Sequence, residues 1–385
     1  MKSSREILAL PQIEQQSEAW YAARRNKQSA SDFGAVVPRD ARYIQHIVDM
    51  WGSDDLRKKV THCYTFGPDE YYLNKVHYPL PLHSEPTRGF TSKTCAIGHQ
   101  FEPIVRIITQ QHLGKSIVEM GWVQGQHTPH AGVSPDGLVI DDELRTVDEH
   151  EQCRPHWYSY NCAVGQIGAQ KHINNVAGFA RQGPKNFEAK TIISRAMTHQ
   201  VPLKYHIQVE RTAYELGVQG SIYTEAKFLG VHEETWREEV SKYQAPADGT
   251  PNIHLEYGIM LLKGWDSYQY APEHIVTPAQ FLDWVEAQRQ TDQALKPIFF
   301  KVDAFWCVEI PLWDKYADVY GPLILTEAEK LHWFATTAEG KLEYNRLKEV
   351  KAEKKRTREA KQNCRKQQTF KPDDLMALFD SVALL

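Results

Sequence analysis

The stretch Asn186-Phe187-Glu188-Ala189-Lys190 indicates the fold and the chemistry expected of this chain. A second informative stretch, Ser134-Pro135-Asp136-Gly137, lies far upstream of it. Side chains two residues apart on a strand point to one face, so Glu188 and Lys190 are expected to enter one cleft while Ala189 turns into the core. The carboxylates of Asp136 and Glu188 can hold a hard cation such as Mg²⁺. Lys190 can then orient the attacking water, or deprotonate it if its surroundings lower its pKa. Both patterns also have ordinary uses, because Pro-Asp-Gly is a common turn and many exposed strands carry a glutamate and a lysine two apart.

Three further motifs stand in a fixed order around these two. They are Trp20-x3-Arg24-x4-Ser29-Ala30-Ser31, then Gly98-x3-Glu102, and, after the strand, Tyr205-x2-Gln208-Val209. Together the five motifs resemble those of the lambda-exonuclease (YqaJ-type) viral recombinase nucleases, a branch of the PD-(D/E)xK superfamily. The resemblance covers roughly residues 15–215.

The resemblance and the alternation of strand and helix patterns predict an α/β (α+β) fold. We expect a restriction-endonuclease-like core with a mixed central β-sheet flanked by helices and interrupted by large insertions. The predicted domains are a nuclease domain over residues 1–340, with insertions at about 141–184 and 230–300, and a basic helical tail over 341–385 that ends in an amphipathic segment.

The resemblance implies a role for each acidic residue. Asp136, Glu188 and Glu102 would be the metal ligands, with Mg²⁺ as the cofactor and Mn²⁺ as its substitute, and Lys190 would be the catalytic lysine. Glu102 has an ordinary alternative as a solvated glutamate at the start of a helix, where the dipole favours it. Gln208 would belong to the catalytic set by orienting water or the lysine, although it could also only cap a polar gap.

The resemblance also assigns Arg24 and Ser31 to the terminal 5′-phosphate of the substrate. A guanidinium is a bidentate phosphate donor, and a serine at a helix N-terminus offers a hydroxyl beside backbone N–H groups. Ser17 and Ser31 are predicted as the N-caps of two successive helices, and Trp20 is predicted to be a core residue. The ordinary alternatives are a surface arginine and a plain N-cap.

The chain departs from the pattern of shorter family members, in which the acidic turn and the Glu-x-Lys strand form a tight hairpin. Here Asp136 and Glu188 are 52 positions apart. The intervening insertion includes Cys153 and His156, which have the reach of half a zinc site but no second pair at finger-like spacing. An insertion near the cleft could also redirect the enzyme from DNA ends to branched or internal sites.

Composition and charge fit an intracellular protein of this kind. The chain has 385 residues and a net charge of −4, its six cysteines are scattered, and it contains neither a long apolar run nor an apolar leader after Met1. From Lys341 to Gln368 there are eleven lysines and arginines against four glutamates. This basic run is either a solvated helix face or a segment that contacts DNA or directs the protein to a nucleus.

The sequence therefore predicts a Mg²⁺-dependent 5′→3′ exonuclease that acts on double-stranded DNA ends in viral or phage recombination, repair or genome processing. Alternatives are a structure-specific endonuclease, a viral nuclease that also degrades RNA, and a catalytically idle DNA-end-binding accessory protein. Expected partners are duplex DNA ends and a single-strand-annealing or replication protein, with no membrane contact. A homo-oligomer is left open, as is the choice between host cytoplasm or nucleus for a virus and cytoplasm for a phage.

Overall fold

The computed structural model describes residues 2–15, 17–33, 41–51, 72–73, 76, 93–140, 183–192, 197, 201–242, 256–263, 267–272, 275 and 277–369. Most of the first predicted insertion, including Cys153 and His156, lies outside these residues, as does the terminal amphipathic segment.

The helices of the described part are short near the N-terminus and long near the C-terminus. In chain order they are α1 (Ser4–Leu8), α2 (Glu18–Arg24), α3 (Ala30–Phe33), α4 (Ala41–Trp51), α5 (Lys93–Leu113), α6 (Leu203–Leu216), α7 (Glu233–Ser241), α8 (Pro278–Thr291), α9 (Tyr316–Thr336) and α10 (Ala338–Thr369). Within the described ranges, no helix combines the length and the apolar character needed to cross a membrane.

The strands form one small and one large sheet. In chain order they are β1 (Gln12–Ile13), β2 (Gln28–Ser29), β3 (Ile117–Val118), β4 (Trp122–Gln124), β5 (Ala131–Val133), β6 (Gly137–Val139), β7 (Lys185–Ile192), β8 (Gly220–Gly230), β9 (Tyr257–Lys263), β10 (Ser267–Tyr270) and β11 (Lys296–Pro311). The small sheet has the order β1-β4-β5-β2, and the large one the order β10-β9-β11-β8-β7-β6-β3.

The large sheet is mixed, because β7 runs parallel to β8 while the other neighbouring strands are antiparallel. Phe187 and Ala189 of β7 pack into the same apolar cluster as Phe101 and Ile104 of α5. The alternate residue Glu188 is contacted by Gln208 of α6. Helices therefore cover both faces of β7, and the predicted mixed sheet with flanking helices is confirmed.

The sequence predicts a helix that Pro202 opens and Gly217 ends, and α6 begins and ends there. Pro202 is its N-cap, and Gly217 follows it with a left-handed φ of 75°, which glycine adopts without a Cβ penalty. Ser17 also caps α2 as predicted, since its hydroxyl accepts a hydrogen bond from the Trp20 backbone N–H. These local signals are readable because Ser17 and Gly217 form their capping hydrogen bonds with groups about one turn away.

Two helix predictions need correction. The prediction that Ser31 caps a helix is wrong, because α3 already begins at Ala30 and Ser31 is its second residue. The sequence pattern predicts a long helix from about Thr326, but α9 begins ten residues earlier, at Tyr316, and contains Pro322. Proline usually marks a helix boundary, but the buried residues Tyr316 and Tyr320 pack the first half of α9 into an aromatic cluster.

The described part of the predicted insertion 230–300 extends the large sheet. Strands β9 and β10 form an antiparallel pair at its edge, and β9 pairs with the first half of β11. Helices α7 and α8 cover these strands with a separate apolar cluster that includes Trp236 and Phe281. This region therefore enlarges the core sheet.

Candidate active site

The turn that carries Asp136 lies directly beside the strand that carries Glu188. Strand β6 pairs antiparallel with β7, with Gly137 opposite Phe187. As a result, the backbone N–H of Ala189 donates a hydrogen bond of 2.8 Å to Asp136 Oδ2. The two motifs thus form neighbouring strands even though 52 positions separate them in the sequence.

Lys190 and Gln208 both converge on Glu188. Lys190 Nζ and Gln208 Nε2 each donate a hydrogen bond to Glu188 Oε1. Lys190 Nζ also donates to the carbonyl oxygen of Ala189 at 3.0 Å and lies 3.7 Å from Asp136 Oδ2. The structure therefore brings together four of the residues that the sequence singles out, at the point where the turn before β6 meets β7.

Glu102 approaches this group from α5. Its carboxylate lies 3.7 Å from His99 Nδ1 and keeps a quarter of its side chain exposed. It is close enough to Asp136 and Glu188 to raise the pKa of both carboxyl groups. Pro103 lies inside α5, which begins ten residues before it, so Glu102 does not stand at a helix start. The ordinary interpretation of Glu102 as a dipole-stabilised first-turn residue is therefore wrong.

The acidic residues fit a divalent cation. Glu188 Oε2 is buried, and no hydrogen bond reaches it from the residues that the structure describes. A buried carboxylate oxygen without a partner is costly, and a hard cation that prefers oxygen ligands would satisfy it. The carboxylates of Asp136, Glu188 and Glu102 also repel one another, which a bound cation would relieve.

Burial and like charge shift the pKa values of the two central carboxyl groups in the same direction. Burial raises the pKa of Asp136 well above its usual range, and Glu102 and Glu188 add to the effect. Burial also raises the pKa of Glu188, and with the nearby Glu102 charge it keeps the net shift upward although Lys190 lowers the pKa. In the metal-free protein both groups therefore hold a proton more tightly than free carboxyl groups do.

Lys190 is a protonated ammonium group in this setting. Burial by itself lowers its pKa, but Glu188 and Asp136 outweigh burial and raise the pKa above its ordinary value. The condition for Lys190 to act as the base, a lowered pKa, is therefore not met in the metal-free protein. The geometry favours the other predicted role, in which the ammonium group orients the attacking water.

Asp136→Asn is expected to stabilise the metal-free protein. Asparagine keeps an oxygen that accepts from the Ala189 N–H but removes the charge. Because the folded pKa of Asp136 is raised, its stabilising contribution is present at low pH and is lost as pH rises through the folded value. In EDTA at neutral pH, thermal unfolding should show a gain on the order of 1 kcal/mol. The gain should shrink at acidic pH, and a variant less stable than wild type throughout would contradict the assigned pKa direction.

The predicted phosphate-binding arginine lies beside the acidic turn. The Trp20 indole N–H donates to the Ser134 hydroxyl at 2.8 Å, two residues before Asp136. The Arg24 guanidinium stacks on the Trp20 ring at 4.1 Å and lies 5.7 Å from the Trp122 ring. No residue of α2 is buried, so the prediction that Trp20 belongs to the core is wrong. Trp20 links Arg24 to the acidic turn instead.

Ser31 is the second residue predicted to bind the 5′-phosphate, and it lies on the surface. It is exposed, and its hydroxyl is 3.1 Å from that of Ser29, with which it shares a hydrogen bond. Although it is not an N-cap, it stands in the first turn of α3. The structure therefore connects Arg24 to the acidic turn through Trp20, whereas the contact it shows for the Ser31 hydroxyl is with Ser29.

Tyr205 is a site residue that the sequence analysis did not assign. Its ring lies 5.3 Å from Lys190 Nζ and 4.5 Å from Lys204 Nζ. Tyr205 and Gln208 are three positions apart on α6 and thus share one face. That spacing is already visible in the motif Tyr205-x2-Gln208, so it could have indicated that both residues point to the lysine.

Comparison with known proteins confirms the resemblance that the motifs indicate. The family described as YqaJ-like viral recombinase domain matches residues 19–219. Among solved structures, an alkaline exonuclease (LHK-Exo) from Laribacter hongkongensis is 14% identical, with a TM-score of 0.35, and the match covers 88% of this chain and 99% of that one. The structure of LHK-Exo in complex with dAMP matches with the same values. Comparison with curated proteins gave no match.

Proposed function

This chain belongs to the YqaJ-like viral recombinase family, and from that membership we propose that it is a magnesium-dependent deoxyribonuclease. It would resect duplex DNA ends in the 5′→3′ direction during viral or phage recombination, repair or genome processing. The observation that carries the proposal is the convergence of Asp136, Glu188, Lys190 and Gln208 where the turn before β6 meets β7. An arrangement of buried carboxylates around a charged lysine suits phosphodiester hydrolysis better than it suits stability.

Asp136, Glu188 and Glu102 are the residues that would hold Mg²⁺. When bound, the cation supplies positive charge that stabilises the phosphoryl group during in-line displacement. Gln208 fixes the carboxylate of Glu188 by donating to Oε1, which leaves Oε2 available as a ligand. The Lys190 ammonium, which already contacts both Glu188 and the Ala189 carbonyl, would donate to the attacking water or to a phosphate oxygen.

Arg24 and Ser31 would bind the 5′-phosphate of the DNA end. The Trp20 ring holds the Arg24 guanidinium in place by stacking, and it is itself anchored to Ser134 beside the acidic turn. A fixed guanidinium loses less freedom when it binds a phosphate than a mobile one does. This placement supports recognition of the terminal phosphate close to the metal ligands.

Arg24→Ala is expected to remove a preference for phosphorylated ends. The wild type should degrade 5′-phosphorylated duplexes faster than 5′-hydroxyl duplexes, by roughly tenfold or more, as one charge-assisted bidentate contact would give. The variant should degrade both at similar rates, as measured by initial rates on matched substrates. Arg25→Ala is the control, because this exposed neighbour follows the last residue of α2 and should leave the preference intact. Equal rates of the wild type on both ends would instead favour an endonuclease.

The basic end of α10 supports a further contact with DNA. Leu347 is buried against the cluster that contains Leu331 and Phe334, whereas every side chain from 348 to 362 is exposed. Residues 351–369 carry eight lysines and arginines against two glutamates. Glu353 and Glu359 pair with basic residues on the same helix, which partly agrees with the ordinary interpretation of a solvated helix face. The excess positive charge still supports phosphate binding.

Truncation after Val350 is expected to flatten the salt dependence of DNA affinity. The cut keeps the buried Leu347 and removes the exposed basic turns. Each lost phosphate contact should reduce the log–log slope by about one unit, while turnover at saturating DNA stays near that of wild type. Truncation after Phe370 is the control, since it removes only the terminal segment. An unchanged slope after truncation at Val350 would assign the basic end of α10 to localisation or to partner binding.

The proposed activity is tested with three duplexes that differ only at their ends. The wild type in Mg²⁺ should release nucleotides from a linear 5′-phosphorylated duplex, act more slowly on the 5′-hydroxyl form, and leave a covalently closed circle intact. Lys190→Ala should be inactive on all three. Cleavage of the circle would favour the endonuclease alternative, degradation of a matched RNA would extend the substrate range, and an inert wild type that still binds ends would favour the idle accessory.

Partners and location follow from the same proposal. A nuclease that produces single-stranded DNA tails in recombination would work with a single-strand-annealing or replication protein. We propose such a partner, an intracellular location and assembly with further copies of the chain. Co-purification would identify the partner, and light scattering would measure the oligomeric state.

A further inference from the structure

A second group of metal-ligating side chains lies on the other side of α6 from the acidic site. His46 comes from α4, and His206 and Glu210 lie one turn apart on α6. His206 and Glu210 each lie two positions from Gln208 along α6, which corresponds to about 200° around the helix axis. The two residues and Gln208 therefore occupy opposite faces of α6. The ligand atoms of His46, His206 and Glu210 all lie within 4.8 Å of one another.

The separations of these atoms match a small tetrahedral ion. His46 Nε2 lies 3.6 Å from Glu210 Oε1, and His206 Nε2 lies 3.3 Å from Glu210 Oε2. Ligands bound to Zn²⁺ at roughly 2.0–2.1 Å in a tetrahedron stand about 3.3 Å apart. Because the three ligand atoms lie within 4.8 Å of one another, binding one ion would draw them together by at most about 1.5 Å.

The surroundings hold the three ligands in place. Glu210 accepts hydrogen bonds from the Tyr43 hydroxyl and, at 3.2 Å, from the Trp313 backbone N–H. The His46 ring stacks on the Trp313 ring with centroids 5.4 Å apart. Contacts of this kind orient the ligands of metal sites and tune their affinity. The side chains of His206 and Glu210 are fully buried, and that of His46 is 19% exposed.

His46 supplies an independent indication that the cluster takes a ligand. Its Nε2 atom is buried and faces the Glu210 carboxylate at ion-pair distance, without a hydrogen bond of normal length. The Glu210 oxygen lies too far away for a normal hydrogen bond, at 3.6 Å. A buried imidazole nitrogen aimed at a carboxylate over this distance leaves room for an ion between them.

We propose that His46, His206 and Glu210 form a second metal site, which takes a borderline divalent transition ion of the Zn²⁺ class. Two imidazoles and one carboxylate favour such an ion over Mg²⁺, which prefers a shell made of oxygen atoms. The site joins α4 to the face of α6 opposite Gln208, so its role is to position α6 against β7. It does not depend on the proposed nuclease function.

The test uses Co²⁺ as a visible probe in the full chain with the acidic site disabled by Asp136→Asn. Titration should give the visible absorption of four-coordinate Co²⁺ and saturate at about one ion per chain. Zn²⁺ should displace the Co²⁺ signal and raise the thermal unfolding temperature. If these bands are absent in this protein and no Zn²⁺ is retained after gel filtration, the proposal is overturned. This test requires no substitution of His46, His206 or Glu210.

Three substitutions then locate the ion. His46→Gln in the same background should abolish the Co²⁺ bands, and Tyr43→Phe should weaken binding about tenfold by removing a contact to a ligand. His232→Gln, at an exposed histidine before α7, should leave both bands and affinity unchanged. Bands that survive His46→Gln would place the ion elsewhere and overturn the proposal. Circular dichroism and the metal-free melting curve of His46→Gln show whether it folds.

Discussion

Replacement of Glu188 by alanine is expected to reduce the rate of DNA hydrolysis by at least about 1,000-fold, which corresponds to about 4 kcal/mol of transition-state stabilisation. The change removes both the carboxylate oxygen that is buried without a described partner and the acceptor shared by Lys190 and Gln208. Asp136→Ala should have a comparable effect, since it removes the carboxylate hydrogen-bonded to the Ala189 N–H. Both variants should still bind DNA, because their effect is on chemistry.

The rate is measured by single-turnover digestion at saturating Mg²⁺, and binding by fluorescence anisotropy in Ca²⁺. Glu119→Ala is the control, since this glutamate is 66% exposed and pairs only with Arg106 among the ion pairs of the described residues. It should be as active as the wild type. If either Glu188→Ala or Asp136→Ala keeps a tenth of the wild-type rate, the site assignment is wrong.

Lys190→Arg is expected to be inactive despite its retained charge, with a loss of about 100-fold or more. The Lys190 ammonium is a compact donor that contacts Glu188 Oε1 and the Ala189 carbonyl oxygen and lies against the Tyr205 ring. A planar guanidinium is larger and presents its donors as a fixed fork, so it cannot reproduce these contacts. The measurement is the pH–rate profile of both proteins under single-turnover conditions.

Lys204→Arg provides the matched control for this change. Lys204 is exposed, and its ammonium lies 4.5 Å from the same Tyr205 ring. The control should keep a near-normal rate, because Lys204 has no contact with Glu188 or Asp136 among the described interactions. Near-normal cleavage by Lys190→Arg would show that Lys190 supplies only positive charge.

The sequence predicts the parts of the fold that local rules determine. The same-face spacing of Glu188 and Lys190, the Ser17 cap and the glycine stop at Gly217 all hold in the structure. Each depends on strand periodicity or on groups within a single turn of helix. The order of the motifs also predicted that Asp136 lies beside Glu188. Sequence spacing alone would not have predicted this, because 52 positions separate the two residues.

Features set by distant parts of the chain could not be predicted in this way. The pKa direction of Lys190 depends on whether burial or two nearby carboxylates dominates, and that balance needs coordinates. The first half of α9 contains a proline that usually ends a helix, and only its packing in the aromatic cluster keeps it helical. His46 meets His206 and Glu210 across 160 positions with no motif to mark it.

The proposed function requires Asp136, Glu188 and Glu102 to hold a divalent cation beside Lys190. Anomalous diffraction from crystals soaked in Mn²⁺ tests it most directly, because Mn²⁺ should replace Mg²⁺ and can be located without assumptions about the site. We expect an anomalous peak within about 2.0–2.6 Å of carboxylate oxygens from Asp136 and Glu188, and we expect this peak to be lost in Asp136→Asn. A protein that is active in Mn²⁺ but binds the ion away from these carboxylates would contradict the assignment of Asp136, Glu188 and Glu102 as its ligands.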